Sequence, residues 1–144
     1  MATYTSATFN QPAKTGAQSG EIITARYSVI NTSAIATGDF LKFGKLPAGH
    51  KIVDWLIENE DFGTSCPADI GVLNAAGDDL VANTLLFDDL ELGTAGMTRR
   101  TVVMPTALAS ADMANDKILA AKIGTVNTGA DDKTATLVVF YTPA

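Results

Sequence analysis

From Glu21 onward the chain is written in a two-residue rhythm. In IITARYSVI, Ile23, Ala25, Tyr27 and Val29 share one face while Thr24, Arg26 and Ser28 share the other, the pattern of a half-buried strand. After the polar stretch NTSAIATGD, FLKFG reads as a short strand ended by Gly44, and Pro47 and Gly49 in LPAGH suit a tight turn. HKIVDWLIENED carries the strongest alternation. Val53, Trp55 and Ile57 interleave with Asp54, Leu56 and Glu58, which predicts that Trp55 plugs the core.

The second half continues in short elements. FGTSCP is a break, ADIGVL a strand, and NAAGDD a turn. DDLVANTLLFDDLELG has no clean apolar stripe and leaves open one or two helical turns. TRRTVVMP reads as a strand stopped by Pro105, and ALASADMAND as a helical turn or an irregular loop. DKILAAKIGTV is a strand by its ending, although KILAAK alone suits a helix. TATLVVFYT, after the turn NTGADDK, is apolar on both faces, which places it at the centre of a sheet or at an interface.

About seven or eight strands without βαβ alternation predict an all-β fold, a jelly-roll-like or related antiparallel β-sandwich spanning residues 21–144. Residues 1–20, rich in Thr, Ser, Ala, Gln and Gly, read as an extended N-terminal arm. The arm is either a frayed terminus or a device whose Tyr4 and Phe9, with Pro12, anchor on a neighbouring subunit.

Composition narrows the possible partners. The chain has 144 residues, the size of one domain, with 47% apolar residues and a formal net charge of -6. An acidic surface repels phosphate, so neither nucleic acid nor an anionic membrane is expected as a partner. No apolar run approaches the roughly 20 residues of a membrane span. The opening ATYTSATFNQPAKTG has neither a basic nor an apolar signal region, so no secretory signal is expected. The one cysteine, Cys66, cannot form an intrachain disulfide, which suits a reducing compartment. Abundant Ala and Thr imply flat faces of low charge, suited to packing in an assembly or to an ordinary monomer.

Catalytic chemistry finds little material. His50 is the single histidine, no G-x-S-x-G elbow occurs, and neither phosphate-binding glycine pattern is present. One histidine and one cysteine exclude the usual zinc patterns. The acidic groups Asp78–Asp79, Asp88–Asp89, Glu58–Glu60–Asp61 and Asp131–Asp132 do not follow the spaced calcium loop. Glu58 and Glu60, near Trp55, offer the only glycosidase-like carboxylate pair, in a chain poor in aromatic platforms. The expectation is therefore no catalytic residue, no cofactor and no metal. Arg99–Arg100 is the notable basic pair. On a strand the two point to opposite faces, so one sits in or near the core unless the strand lies at an edge. The pair then either bridges nearby acids or contacts an acidic partner surface.

The run LPAGHKIVDWLIENEDFGTSCPADIGVLNAAGDDL, followed by DKILAAKIGTVNTGADDKTATLVVFYTPA, resembles a family of tailed-bacteriophage virion proteins. The features that carry the resemblance are the Leu46–Gly49 turn, the strand from Lys51 to Asn59, Ile70–Gly71–Val72, and the apolar strand closing at Tyr141. The resemblance implies a capsid decoration (cement) protein that sits on the outside of the head and clamps neighbouring major capsid protein subunits together. It further implies a homo-oligomer, with a trimer favoured, assembled in the host cytoplasm, and no catalytic residues. Tyr4, Phe9, Pro12, Arg99 and Arg100 are partner-contact candidates on their own chemistry. The alternative is a carbohydrate- or receptor-binding module of a head fibre or tail, which would use Trp55 or tyrosines as a platform.

Overall fold

In chain order the strands are β1 (Thr3–Thr5), β2 (Ile23–Ile30), β3 (Phe40–Leu46), β4 (His50–Asn59), β5 (Gly63–Thr64), β6 (Pro67–Val72), β7 (Phe87–Glu91), β8 (Gly96–Arg99), β9 (Lys117–Ile123), β10 (Thr128–Gly129) and β11 (Thr134–Pro143). The computed structural model describes residues 1–12, 15–16, 20–109 and 112–143. Among the described residues the single helical element is a 3-10 turn at Thr106–Leu108.

The strands form a five-stranded sheet, β1-β3-β9-β6-β7, and a four-stranded sheet, β2-β11-β4-β8, with β5 and β10 as a separate short ladder. Apart from β1 lying parallel on β3, the pairings are antiparallel. Among the long strands, every connection crosses from one sheet to the other except β6 to β7, and the first and last, β2 and β11, are neighbours. That wiring is a jelly roll. The core lies between the sheets, with Trp55, Ile57, Leu137, Val139 and Tyr141 facing Leu41, Phe43, Ile70, Leu119 and Ile123. β11 runs between β2 and β4, and Val138 on its outward side is also buried, which explains why its sequence is apolar on both faces.

The places where local pattern and structure differ have local causes. The inward row of β4 is Trp55, Ile57 and Asn59, but upstream it is Ile52 rather than Val53. The register against β11 shifts between Phe140 and Tyr141, so Val53 is the extra residue of a bulge that reverses the parity. β3 does not stop at Gly44 but continues to Leu46, with a shift between Lys42 and Gly44. There the Tyr27 ring occupies the space a Gly44 Cβ would fill, and the Tyr27 hydroxyl donates to the Lys45 carbonyl at 3.0 Å. KILAAKI is a strand throughout. β8 ends at Arg99, six residues before Pro105.

The 73–86 segment contains no helical turn. It covers the outer face of the five-stranded sheet, where Leu80 packs on Phe40, Leu73 and Ala120, and Thr84 lies against Gly71. The sandwich also begins earlier than residue 21. β1 is an edge strand of the five-stranded sheet, and Tyr4 is buried in the core with its hydroxyl 2.8 Å from the Ser33 hydroxyl. Alternation over three residues is too short a signal to mark such a strand. Of the expected arm, residues 13, 14 and 17–19 lie outside the described residues.

Candidate interaction surfaces

His50 and Cys66, the single histidine and cysteine, each have a structural task. His50 is buried; its Nε2 accepts the Gly16 N–H at 3.1 Å, and its Nδ1 lies 2.9 Å from the Ala48 carbonyl. A carbonyl only accepts, so Nδ1 carries the proton and both nitrogens are engaged. The ring also stands edge-on to Tyr141 at 5.5 Å. Cys66 is fully buried, and burial first, then the Glu91 carboxylate, push its thiol up to about 11. Such a thiol is a small core residue and not a nucleophile.

Trp55 is 1% exposed, with its indole N–H donating to the Leu86 carbonyl at 2.8 Å. It cannot serve as a sugar platform, and the carbohydrate-binding alternative loses its main support. The Glu58–Glu60 pair is divided. Glu58 accepts from Arg26 at 3.0 Å, while Glu60 accepts the Thr134 N–H at 2.6 Å.

The acidic doublets sort similarly. Asn74 Oδ1 accepts the amides of Gly77 and Asp78 in a side-chain-closed turn, and Asp79 pairs with Lys122 at 2.9 Å. Asp88 and Asp89 meet Asp69, with ligand oxygens of all three within 4.8 Å of one another. The Asp89 amide donates to Asp69 Oδ1 at 2.8 Å, and the Asp69 charge, with lesser contributions from desolvation and Asp89, raises the Asp88 pKa. Three oxygens so placed are the donor type a hard cation takes. Asp69 is nineteen residues from Asp88 in sequence, and only the β6–β7 pairing brings it there.

The predicted contact residues fall on opposite margins of the sandwich. Tyr4 serves this chain's own core. Phe9 lies under the ammonium groups of Lys42 and Lys45, each 5.3 Å from its ring centroid. Phe9 and exposed Pro12 line a groove of about 230 Å³ whose other wall is Thr24–Tyr27, with Gly44 and Lys45. Arg99 and Arg100 belong to the other margin, where β8 is the edge of the four-stranded sheet. As the alternation requires, they diverge. Arg100 turns over the Trp55 ring at 5.3 Å and reaches Asp54 at 3.6 Å. Arg99 faces outward beside Leu56.

The outer face of the four-stranded sheet carries the row Arg26, Val138, Leu56, Arg99 and beside it Ser28, Thr136, Glu58, Met97. Arg26 reaches diagonally across β11 to Glu58. Met97, Arg99 and Ile30 are exposed along this face. Of the chain's three arginines, Arg26 and Arg100 each hold a carboxylate, and Arg99 holds none among the described residues. Beyond β8, Asn83, Leu85 and the segment Val102–Thr106 line a groove of about 330 Å³ with mixed polar and apolar walls.

A chain of the capsid of Ralstonia phage GP4 has the same architecture, with a TM-score of 0.79 at 23% identity over 99% of this chain and 98% of that one. The shared fold is a jelly roll. A chain of the cyanophage Pam1 capsid asymmetric unit is similar at a TM-score of 0.63 and 20% identity, over 96% of both chains. The sequence matches no protein-family model and no curated protein. The likeness is one of fold, and the candidate sites described on this jelly roll are its surfaces and grooves. Neither His50 nor Cys66 lines any of the described grooves.

Proposed function

We propose that this chain is a non-enzymatic structural virion protein that decorates a bacteriophage capsid and stabilises it by bridging neighbouring major capsid protein subunits. The observation that carries the reading is the likeness to a phage-capsid chain along nearly the whole length of both chains. Supporting it, His50, Cys66 and Trp55 are all committed to the interior, while the exposed features include a sheet face, two grooves and an arginine with no carboxylate among the described residues. A bridging protein acts through many copies of a modest interface, so a rigid sandwich with broad low-charge faces suits the task. The reading includes a homo-oligomer, with a trimer favoured, on the capsid exterior, assembled in the host cytoplasm.

The test uses capsids of the phage whose genome encodes this chain. Purified protein is expected to bind them saturably, at a copy number matching the symmetry axes seen by electron cryomicroscopy, and to raise their melting temperature. Saturating protein that leaves capsids bare and their melting unchanged refutes the proposal.

A further inference from the structure

Residues 100–104 are written as a strand and are not paired as one. Thr101, Val102 and Val103 are β-branched, the residue class that favours strands. Yet the β8 ladder ends with Arg99 opposite Leu56, and Arg100 makes one last main-chain bond to the Trp55 carbonyl at 3.3 Å. From Thr101 to Met104 no main-chain N–H or C=O bonds to another described residue. The side chains still divide as on a strand. Val102 and Met104 pack on the core, whereas Thr101 is exposed and Val103 is 87% exposed. Local preference and observed state disagree here.

The chemistry of the gap identifies what fills it. A run of unpaired amides and carbonyls on strand-forming residues is complementary to the extended main chain of another polypeptide. Arg99, immediately upstream, is the one arginine on this margin without a carboxylate among the described residues, in a chain of net charge -6. The groove beside Val103 is open, with Leu85, Val102 and Met104 supplying apolar wall and Asn83 and Thr106 polar rim. We propose that Thr101–Met104 is completed as a strand by an extended segment of the protein this chain binds, carrying a carboxylate opposite Arg99 and an apolar side chain for the groove. The proposal rests on the functional reading above, under which that protein is the major capsid protein.

Hydrogen exchange on free and capsid-bound protein tests it. The amides of Thr101–Met104 are expected to exchange freely in the unbound chain and to slow by about 100-fold or more on capsids. Val103→Pro removes a donor that bonds nothing in the free chain, so melting should stay within about 2 °C while capsid affinity falls about 10-fold or more. Val103→Thr should retain binding, and Arg99→Glu should weaken it while the fold persists. Capsid-bound protein with no protection at 101–104, or a folded Val103→Pro variant binding as the parent does, overturns the proposal and leaves the functional reading standing. Failure of the parent itself to bind capsids overturns that reading. Protection that appears without capsids and grows with concentration assigns the segment to a second copy and overturns the partner named here.

Discussion

Gly44 sits where two strands from different sheets come closest through a ring, and Gly44→Ala measures how firmly that contact is held. The added Cβ would lie 2.7 Å from Tyr27 Cζ and inside van der Waals distance of two further ring carbons. The ring cannot simply swing away, because its hydroxyl is tethered to the Lys45 carbonyl at 3.0 Å. Overpacking of this kind costs about 1–3 kcal/mol. Losing the tether adds about 0.5–1.5 kcal/mol. A total of about 2–4 kcal/mol in a domain of this size lowers the melting temperature by about 5–15 °C. Thermal and urea denaturation followed by circular dichroism read the change directly. The double variant Tyr27→Ala/Gly44→Ala removes the ring that the new methyl strikes. It should be no less stable than Tyr27→Ala alone, giving a coupling of about 2 kcal/mol in the cycle. A Gly44→Ala melting point within about 2 °C of the parent, or simple additivity in the cycle, refutes the reasoning.

Other perturbations test other parts of the molecule. Trp55→Phe leaves the Leu86 carbonyl without its donor and should cost about 1–3 kcal/mol by urea titration, with the fold retained. Native protein at pH 8 should not react with a thiol reagent at Cys66 until denaturant is added, since burial holds the thiol protonated up to about 11. The linkage has the sign of a buried neutral acid. Below the unfolded thiol pKa of about 8.5 it is silent, and stability then falls as pH rises toward about 11 because only the unfolded chain ionises. Cys66→Ala should therefore flatten that part of the alkaline limb. Asp69→Asn keeps an acceptor for the Asp89 amide but removes the main charge acting on Asp88, so the Asp88 carboxyl should titrate at lower pH by carbon NMR. An unmoved Asp88 titration would exclude the three-carboxylate contact.

Period-two patterning exposed the strands that are buried on one side, and it placed Trp55 inward and β11 in the centre, because those properties repeat along one segment. What it could not expose depends on pairs of segments. The bulge at Val53 exists only in the register of β4 against β11, and the passage of β3 through Gly44 depends on a ring carried by β2. The jelly-roll wiring likewise belongs to the pairing of elements distant in sequence. Of the candidate contacts, the divergence of Arg99 and Arg100 follows from simple alternation. The burial of Tyr4 does not, since β1 is held by its parallel partner β3 and not by a pattern of its own. Asp69 escaped notice as a neighbour of Asp88 and Asp89 for the same reason.

The place of β11 has a consequence for how the molecule is made. The strand joining β2 to β4 in the four-stranded sheet leaves the ribosome after both of them. Until it emerges, β2 and β4 have a vacant lane between them, and half of the core has no wall. Long-range pairing of this kind delays folding until late in synthesis. A chain that stops short of β11 lacks the strand that joins β2 to β4. For a protein proposed to join a shell in many copies, the expected consequence is that chains lacking β11 stay out of the assembly, and co-expression of a chain ending before Thr134 with the parent checks it.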